Sequence, residues 1–458
     1  MIYFLFFLVS LVVYWNTPSV YSWEFCLLCM AFYLVEAITA LKKEVKSKQF
    51  LSFNLIFSFS FFWVSFAYAV LVYGTELEWL GTVSEYINWN YLSKACSASL
   101  LFYSSYLLVY KNSHIHNTEA RNIHYTPNII SKATRALHIT FFFFLVNTIY
   151  NIYQSGGHTI SVDSFPYLFD LFYAALALYF IIYAAKPSQK RGHVLFVKEN
   201  KIAIIYCVLS IILYLIIGDR GPVLRIFLIV GVIYYLYYKR ISLIKILGVA
   251  VVGFFLMFFI RQTREYDETS LAHNGLSAIT SSSEVLNVGG NFLYMFADLW
   301  GISHELTLEC ENFDTKGPYK PERIILVPFY PIPFLPTLVG NVLFGEDPNG
   351  FNTGAELNRQ MSKYNTHFGN HIVGDIYMSY GAFGVIFFGF VLGYFVSLFT
   401  KRKDNSIYYR VIFIILMSLS LYLPRDSMFN LVRPISLAAL LVYFTIGKNG
   451  VSYKTIGN

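Results

Sequence analysis

Charge is scarce in this sequence: Asp, Glu, Lys and Arg together make up 13% of 458 residues. A soluble globule carries nearer a quarter, so the shortage excludes one of this length. Cysteine is scarce too. Of the five, Cys26, Cys29, Cys96 and Cys207 fall in apolar spans and Cys310 alone lies outside, which excludes a disulfide framework within one chain. The Cys26-x-x-Cys29 pair sits mid-span without a companion pair, which argues against a metal or redox role. Internal repeats and low-complexity linkers are missing. The first segment lacks a basic start and a small-residue cleavage site, so it reads as a span rather than a cleaved signal peptide. The net charge of +7 carries no patterned basic patch, and a nucleic-acid partner is not expected.

What is abundant is apolar: 56% of the residues are hydrophobic and 19% aromatic. The expected fold class is an all-α polytopic integral membrane protein, one membrane domain over 1–458 with about twelve transmembrane helices. The spans read as roughly Ile2 to Tyr14, Ser22 to Leu41, Leu51 to Tyr73, Trp89 to Tyr110, Leu137 to Tyr153, Phe165 to Ala185, Ile202 to Ile217, Val223 to Tyr238, Ile244 to Ile260, His371 to Thr400, Ile407 to Leu423 and Met428 to Ile446. An even count puts both termini in the cytoplasm. The basic residues agree, because the loops so assigned inside hold 16 Lys and 6 Arg, whereas the remaining basic residues are 4 Lys and 8 Arg. Lys sets topology, and Arg at the outer boundary suggests an anionic ligand held by the planar guanidinium fork.

One loop, 261–370 between the ninth and tenth spans, is large and extracytoplasmic, and loops of that length usually have a function. It holds 13 acidic and seven basic residues, so it is not an anionic-surface-binding domain. Asn291 to Glu311 reads as an amphipathic helix. Ile324 to Gly345, with Pro328, Pro331, Pro333 and Pro336, is too apolar for free solvent and too proline-rich to cross; it reads as interfacial or re-entrant.

Three motifs carry chemistry. Gly218-Asp219-Arg220-Gly221-Pro222, with Arg225 five residues after Arg220, makes a helix start beside two arginines, which is an anion site. The competing reading is a tight turn in which Asp219 pairs Arg220 and Arg225 snorkels. Pro424-Arg425-Asp426 precedes Arg433-Pro434, and Arg433 falls inside the twelfth span, where charge marks function unless it is an ion pair with Asp426. In the tenth span His367, His371 and Asp375 align at helical spacing. They read as a general base at the membrane boundary, as solvated helix-start residues, or as a metal site, which lacks the Glu after the first His that zincins need.

The chain resembles the bacterial O-antigen and capsular-polysaccharide polymerases of the Wzy type. The likeness rests on many spans, one large late outer loop, the Gly218-x-Arg220-Gly221 turn, and Gly374-Asp375-x-Tyr377 running to Gly381-x-x-Gly384. Asp375 stands where Glu is more usual. It is also similar to the related O-antigen ligases, whose His-to-Gly spacing His371 and Gly381 nearly meet. The resemblance implies a glycosyltransferase of the bacterial cytoplasmic (inner) membrane that polymerises undecaprenyl-diphosphate-linked oligosaccharide repeat units on the outer face, with a chain-length regulator as a protein partner. It implies His371 and Asp375 as catalytic residues. Arg220, Arg225 and Arg433, with Arg425, Arg264 and Arg359, would hold the lipid diphosphate. No carboxylate occupies the first outer turn, Trp15 to Tyr21, so inverting transfer without metal or cofactor is expected. A ligase or other outer-face transferase is the alternative. A lipid-linked oligosaccharide flippase is further off, because the halves show no internal similarity.

Overall fold

The computed structural model describes residues 1–46, 51–73, 87–112, 123–124, 127–154, 166–184, 193–217, 220–239, 242, 245, 248, 253, 302–345, 351–361, 369–447 and 452–453. In chain order the helices are α1 Ile2–Trp15, α2 Trp23–Lys46, α3 Phe53–Phe62, α4 Leu92–Asn112, α5 Pro127–Gln154, α6 Pro166–Ala184, α7 His193–Glu199, α8 Lys201–Ile217 and α9 Arg220–Ile233. They continue as α10 Ser303–Lys316, α11 Leu335–Phe344, α12 Thr353–Met361, α13 Ile372–Arg402, α14 Ile407–Leu419 and α15 Val432–Ile446. Two wider-turned π-helical runs, Trp63–Val72 and Tyr234–Tyr238, extend α3 and α9. Among the described residues the one extended element is a two-residue antiparallel pairing of Ile123 with Tyr453 and His124 with Ser452.

Among the described residues eight helical stretches are long and apolar enough to cross a membrane: Trp23–Lys42, Phe53–Val72, Trp89–Lys111, Pro127–Asn151, Pro166–Ala184, Gly221–Tyr238, Ile372–Arg402 and Met428–Ile446. The expected first, seventh and eleventh spans are apolar helices too, at Ile2–Trp15, Lys201–Leu215 and Ile407–Leu419, but each is shorter than the roughly 20 residues a crossing needs. The expected ninth span lies almost wholly outside the described residues.

The chain forms two compact units, each drawn from separate stretches. The first is Met1–His116, Phe296–Lys401 and Ser420–Val432. Its interior is aromatic: Tyr33, Phe57, Phe61, Tyr103 and Tyr106 are all buried, with Tyr33 and Tyr103 centroids 4.6 Å apart. Serines supply the short side chains that let helices close on one another, and Ser104 on α4 donates to Glu36 of α2 at 2.7 Å. Ser52 starts α3 by accepting from the Leu55 amide at 3.2 Å.

In the segment expected as the outer loop, residues 291–301 lie outside the described residues. The amphipathic helix is α10, which runs past Glu311 to Lys316 and stops at Gly317, where φ is +85°. The proline-rich stretch folds as single turns at Pro321–Ile325 and Val327–Phe329 followed by α11, about 15 Å long and half a crossing. Ile325, Phe334, Leu338 and Val342 are exposed along it. The Tyr319 amide donates to the Met378 carbonyl and the Tyr380 hydroxyl to the Pro321 carbonyl, tying the stretch to α13.

Helix α13 is not continuous. Gly381 has φ +59° and ψ −158°, a conformation essentially restricted to glycine, and an added methyl would stand 2.6 Å from Phe313 Cζ.

The second unit is Asn117–Met295, Arg402–Leu419 and Arg433–Asn458. Helix α6 is its centre, buried from Phe172 to Ile182 and flanked by α5, α9 and α14. Phe144 stacks on Phe172 at 4.7 Å, and Phe141 on Tyr206 of α8 at 3.8 Å. Rings pack these helices where no polar backbone group is left to do so.

Candidate active site

Within the first unit, α10, the turn at Pro321–Ile325, α12 and the start of α13 converge on Asp375, which is 1% exposed. Arg323 donates from Nη1 to Asp375 Oδ1 at 2.6 Å and from Nη2 to the Asp375 carbonyl at 2.5 Å. The Thr353 hydroxyl donates to Oδ1 at 2.6 Å and the Ser427 hydroxyl to Oδ2 at 2.7 Å. Buried ions persist only when so paired and saturated. Arg323 also lies 4.6 Å from the centroid of the Phe429 ring, a cation–π contact. The Asp375 carboxylate raises the Arg323 pKa against the opposing effect of burial.

His371 is fully buried and both its nitrogens are in use. Nδ1 accepts from the Val373 amide at 3.1 Å and more weakly from the Gly374 amide at 3.4 Å, and Nε2 lies 3.1 Å from the Ser65 hydroxyl. An accepting Nδ1 fixes the tautomer with the proton on Nε2, donating to Ser65. Burial pushes the His371 pKa down to about 3, so the ring is neutral. It caps the helix that presents Asp375.

Helix α10 turns three further titratable groups inward. His304 is edge-on to Tyr68, with centroids 4.5 Å apart, and burial pushes its pKa to about 3. Glu305 accepts the Gly369 amide at 2.6 Å through Oε1; burial lifts its pKa to about 7 although that amide and Arg425 pull it down. Glu309 sits against Gly374, where any side chain would collide with its carboxyl. Burial, then Asp375 and Glu305, push the Glu309 pKa well up; Thr353 and Arg323 oppose this, but both donate to Asp375. Among the described residues His304 Nε2, Glu305 Oε2, both Glu309 oxygens and Arg323 Nε have no hydrogen-bond partner.

The second unit holds another charged centre. Asp170 of α6, 2% exposed, takes Nη1 and Nη2 of Arg225 on Oδ1, each at 3.1 Å, and Nε of Arg433 on Oδ2 at 2.8 Å. Arg225 lies 4.3 Å from the Tyr173 ring centroid and Arg433 5.5 Å from that of Tyr167. Three helices, α6, α9 and α15, thus meet through one carboxylate and two guanidiniums.

Of the residues singled out in the sequence, the structure brings Arg225 and Arg433 onto one partner. Arg433 pairs with Asp170 rather than Asp426, whose carboxylate accepts from the Ser427 amide and the Asn430 side chain at 2.7 Å each. Arg220 opens α9, five residues before Arg225. Arg425 and Arg359 belong to the first unit. Arg425 acts on Glu305, and Arg359 is 75% exposed in a two-pronged bridge to Glu356 of its own helix. Arg264, Asp219 and His367 lie outside the described residues. Among the described residues no three His, Cys, Asp or Glu side chains converge as a metal site.

Sequence reasoning missed Asp170, Arg323, Glu305 and Glu309. Asp170 had a signal, as the sole charge between Pro166 and Ala184 in an apolar span. Arg323 and the two glutamates had none, because acids and bases in a polar loop are ordinarily solvated.

No curated protein and no solved structure matches the chain. The family of O-antigen polysaccharide polymerases, Wzy, matches it over residues 1–448. With that match and its eight membrane-length apolar helices, the chain belongs to this family of multi-pass membrane enzymes, which polymerise lipid-linked O-antigen repeat units.

Proposed function

We propose that the chain transfers a growing glycan from undecaprenyl diphosphate to a sugar hydroxyl of a second lipid-linked repeat unit, by inverting, metal-independent chemistry on the outer face of the cytoplasmic membrane. The acceptor oxygen attacks the anomeric carbon as the bond to the diphosphate breaks, and the lipid diphosphate leaves with its charge. That charge needs fixed cations rather than protons. Arg225 and Arg433 supply them, with Arg220 at the N-terminus of α9 adding helix-end amides. One observation carries this reading: two arginines share one carboxylate among apolar helices, so the centre keeps a net positive charge where an unpaired cation is costly.

In the first unit Asp375 orders Arg323, Thr353 and Ser427, and His371 caps the helix that carries it. A chain-length regulator would act on this polymerase from outside the centre. The reading is tested with purified protein in vesicles and synthetic lipid-linked repeat units. Polymer is expected to form in the presence of a divalent chelator and with inverted anomeric configuration. Loss of activity on chelation, or retained configuration, overturns it. Orientation is tested separately: a reporter after Asn458 is expected to face the cytoplasm and one inserted near Gly350 to face outward.

A further inference from the structure

Glycosyl transfer releases a proton from the acceptor hydroxyl, and some side chain must take it. In the first unit the two candidates legible in the sequence already have a partner on every titratable atom. His371 Nδ1 caps its helix, and both Asp375 oxygens accept charged or hydroxyl donors. Glu305 differs. Its Oε1 is fixed by the Gly369 amide at 2.6 Å, while Oε2 is buried and has no partner among the described residues. One helical turn on, Glu309 has two more unpartnered oxygens. A buried acceptor left empty is costly, and a fold tolerates it where a ligand supplies the missing donor.

The geometry points to Glu305 as the catalytic base, its free Oε2 accepting the acceptor sugar's hydroxyl proton while the Gly369 amide holds the other oxygen. The inference rests on the transfer reaction proposed above and assigns its proton. In the step, the acceptor O–H bond breaks toward Glu305 Oε2, the oxygen's electron pair forms the new bond to the anomeric carbon, and the anomeric bond to the diphosphate oxygen breaks. Glu305 later returns the proton to water or to the departing diphosphate. The charged groups that act on it are Arg425 from the turn before α15 and Glu309 of its own helix, on which Asp375 and Arg323 act in turn. His304 and His371 are neutral, Arg323 answers Asp375, and burial and its acidic neighbours push the Glu309 pKa well up. The Gly369 amide and, after it, Arg425 favour the ionised form of Glu305, against burial. A base poised near neutrality results.

The experiment uses the full chain in vesicles, following polymer formation between about pH 5.5 and 8.5. The wild-type rate is expected to rise with pH and level off above about 7, following ionisation of Glu305. Glu305→Gln is expected to lower kcat by about 100-fold or more, with KM for the lipid-linked donor little changed. Glu305→Asp is expected to recover part of the rate with its acid limb moved. A wild-type rate flat across this range, or Glu305→Gln within about fivefold of wild type, overturns the assignment. Should Glu305→Gln fail to reach the membrane, Glu305→Asp decides: an unmoved acid limb overturns it and a moved one supports it. Failure of the diphosphate reading shows elsewhere, as unchanged donor KM in the Arg225 and Arg433 variants.

Discussion

Two buried aspartates, each paired with arginine, stand in the two units and are built to opposite plans. Around Asp375 one arginine meets one carboxylate, two hydroxyls complete the shell, and Arg323 is only 3% exposed. Around Asp170 two arginines share one carboxylate, and they remain 16% and 28% exposed. The first centre is neutral and closed; the second has a charge in excess and edges still reachable. A closed pair fixes a shape, while an unbalanced one invites an anion. On the function proposed above, ion pairs of similar geometry in one membrane protein do different work, and counting their charges separates them.

The comparison breaks or sharpens by substitution. The largest effect is expected from Asp375→Ala, which strands a buried arginine and costs about 3–5 kcal/mol; the variant's unfolding temperature in detergent and its level in the membrane measure this, and added anions should not restore it. Normal stability with lost polymer would instead make Asp375 chemical rather than architectural. Asp170→Asn should cost less, about 2 kcal/mol, because its arginines are partly solvated, and inorganic diphosphate should recover some of the loss by taking the carboxylate's place. No recovery means that the second centre is as structural as the first. Arg433→Lys keeps charge but not the fork, and donor KM should rise about tenfold. His371→Ala should remove a helix cap worth about 1 kcal/mol, which His371→Asn restores; polymer lost in both at full stability returns histidine to the mechanism. Smallest is a pH effect. Glu305 has a raised pKa in the folded state, so its contribution is present at low pH and is lost as pH rises from the unfolded carboxylate range through about 7. The unfolding temperature should fall slightly over that window, less so in Glu305→Gln.

The sequence made the membrane helices legible because apolar runs of crossing length have few other fates, and eight of the expected spans appear as such helices. The runs at Ile2, Ile202 and Ile407 form helices of 14, 17 and 13 residues, each short for a crossing, and only the last ends before its apolar run does, at Leu419 rather than Leu423. Charge inside a span was legible at Arg433 and Arg225, yet their partner was not, since helix periodicity says which face a residue takes and nothing about which distant helix meets it. The stripe through His371 and Asp375 was legible for the same local reason. Glu305 and Glu309 were hidden because i, i+4 acids on an amphipathic helix look solvated, and only the packing of α10 against Gly369 and Gly374 buries them.

The interruption at Gly381 settles a matter of length. A continuous helix over Ile372–Arg402 would be about 46 Å long, well beyond the roughly 30 Å of a bilayer's hydrocarbon layer. Broken at Gly381, the part from Ala382 to Arg402 measures about 31 Å and fills that thickness without tilt or local thickening. The short leading piece, which carries Asp375 and follows directly on His371, is surplus to that length.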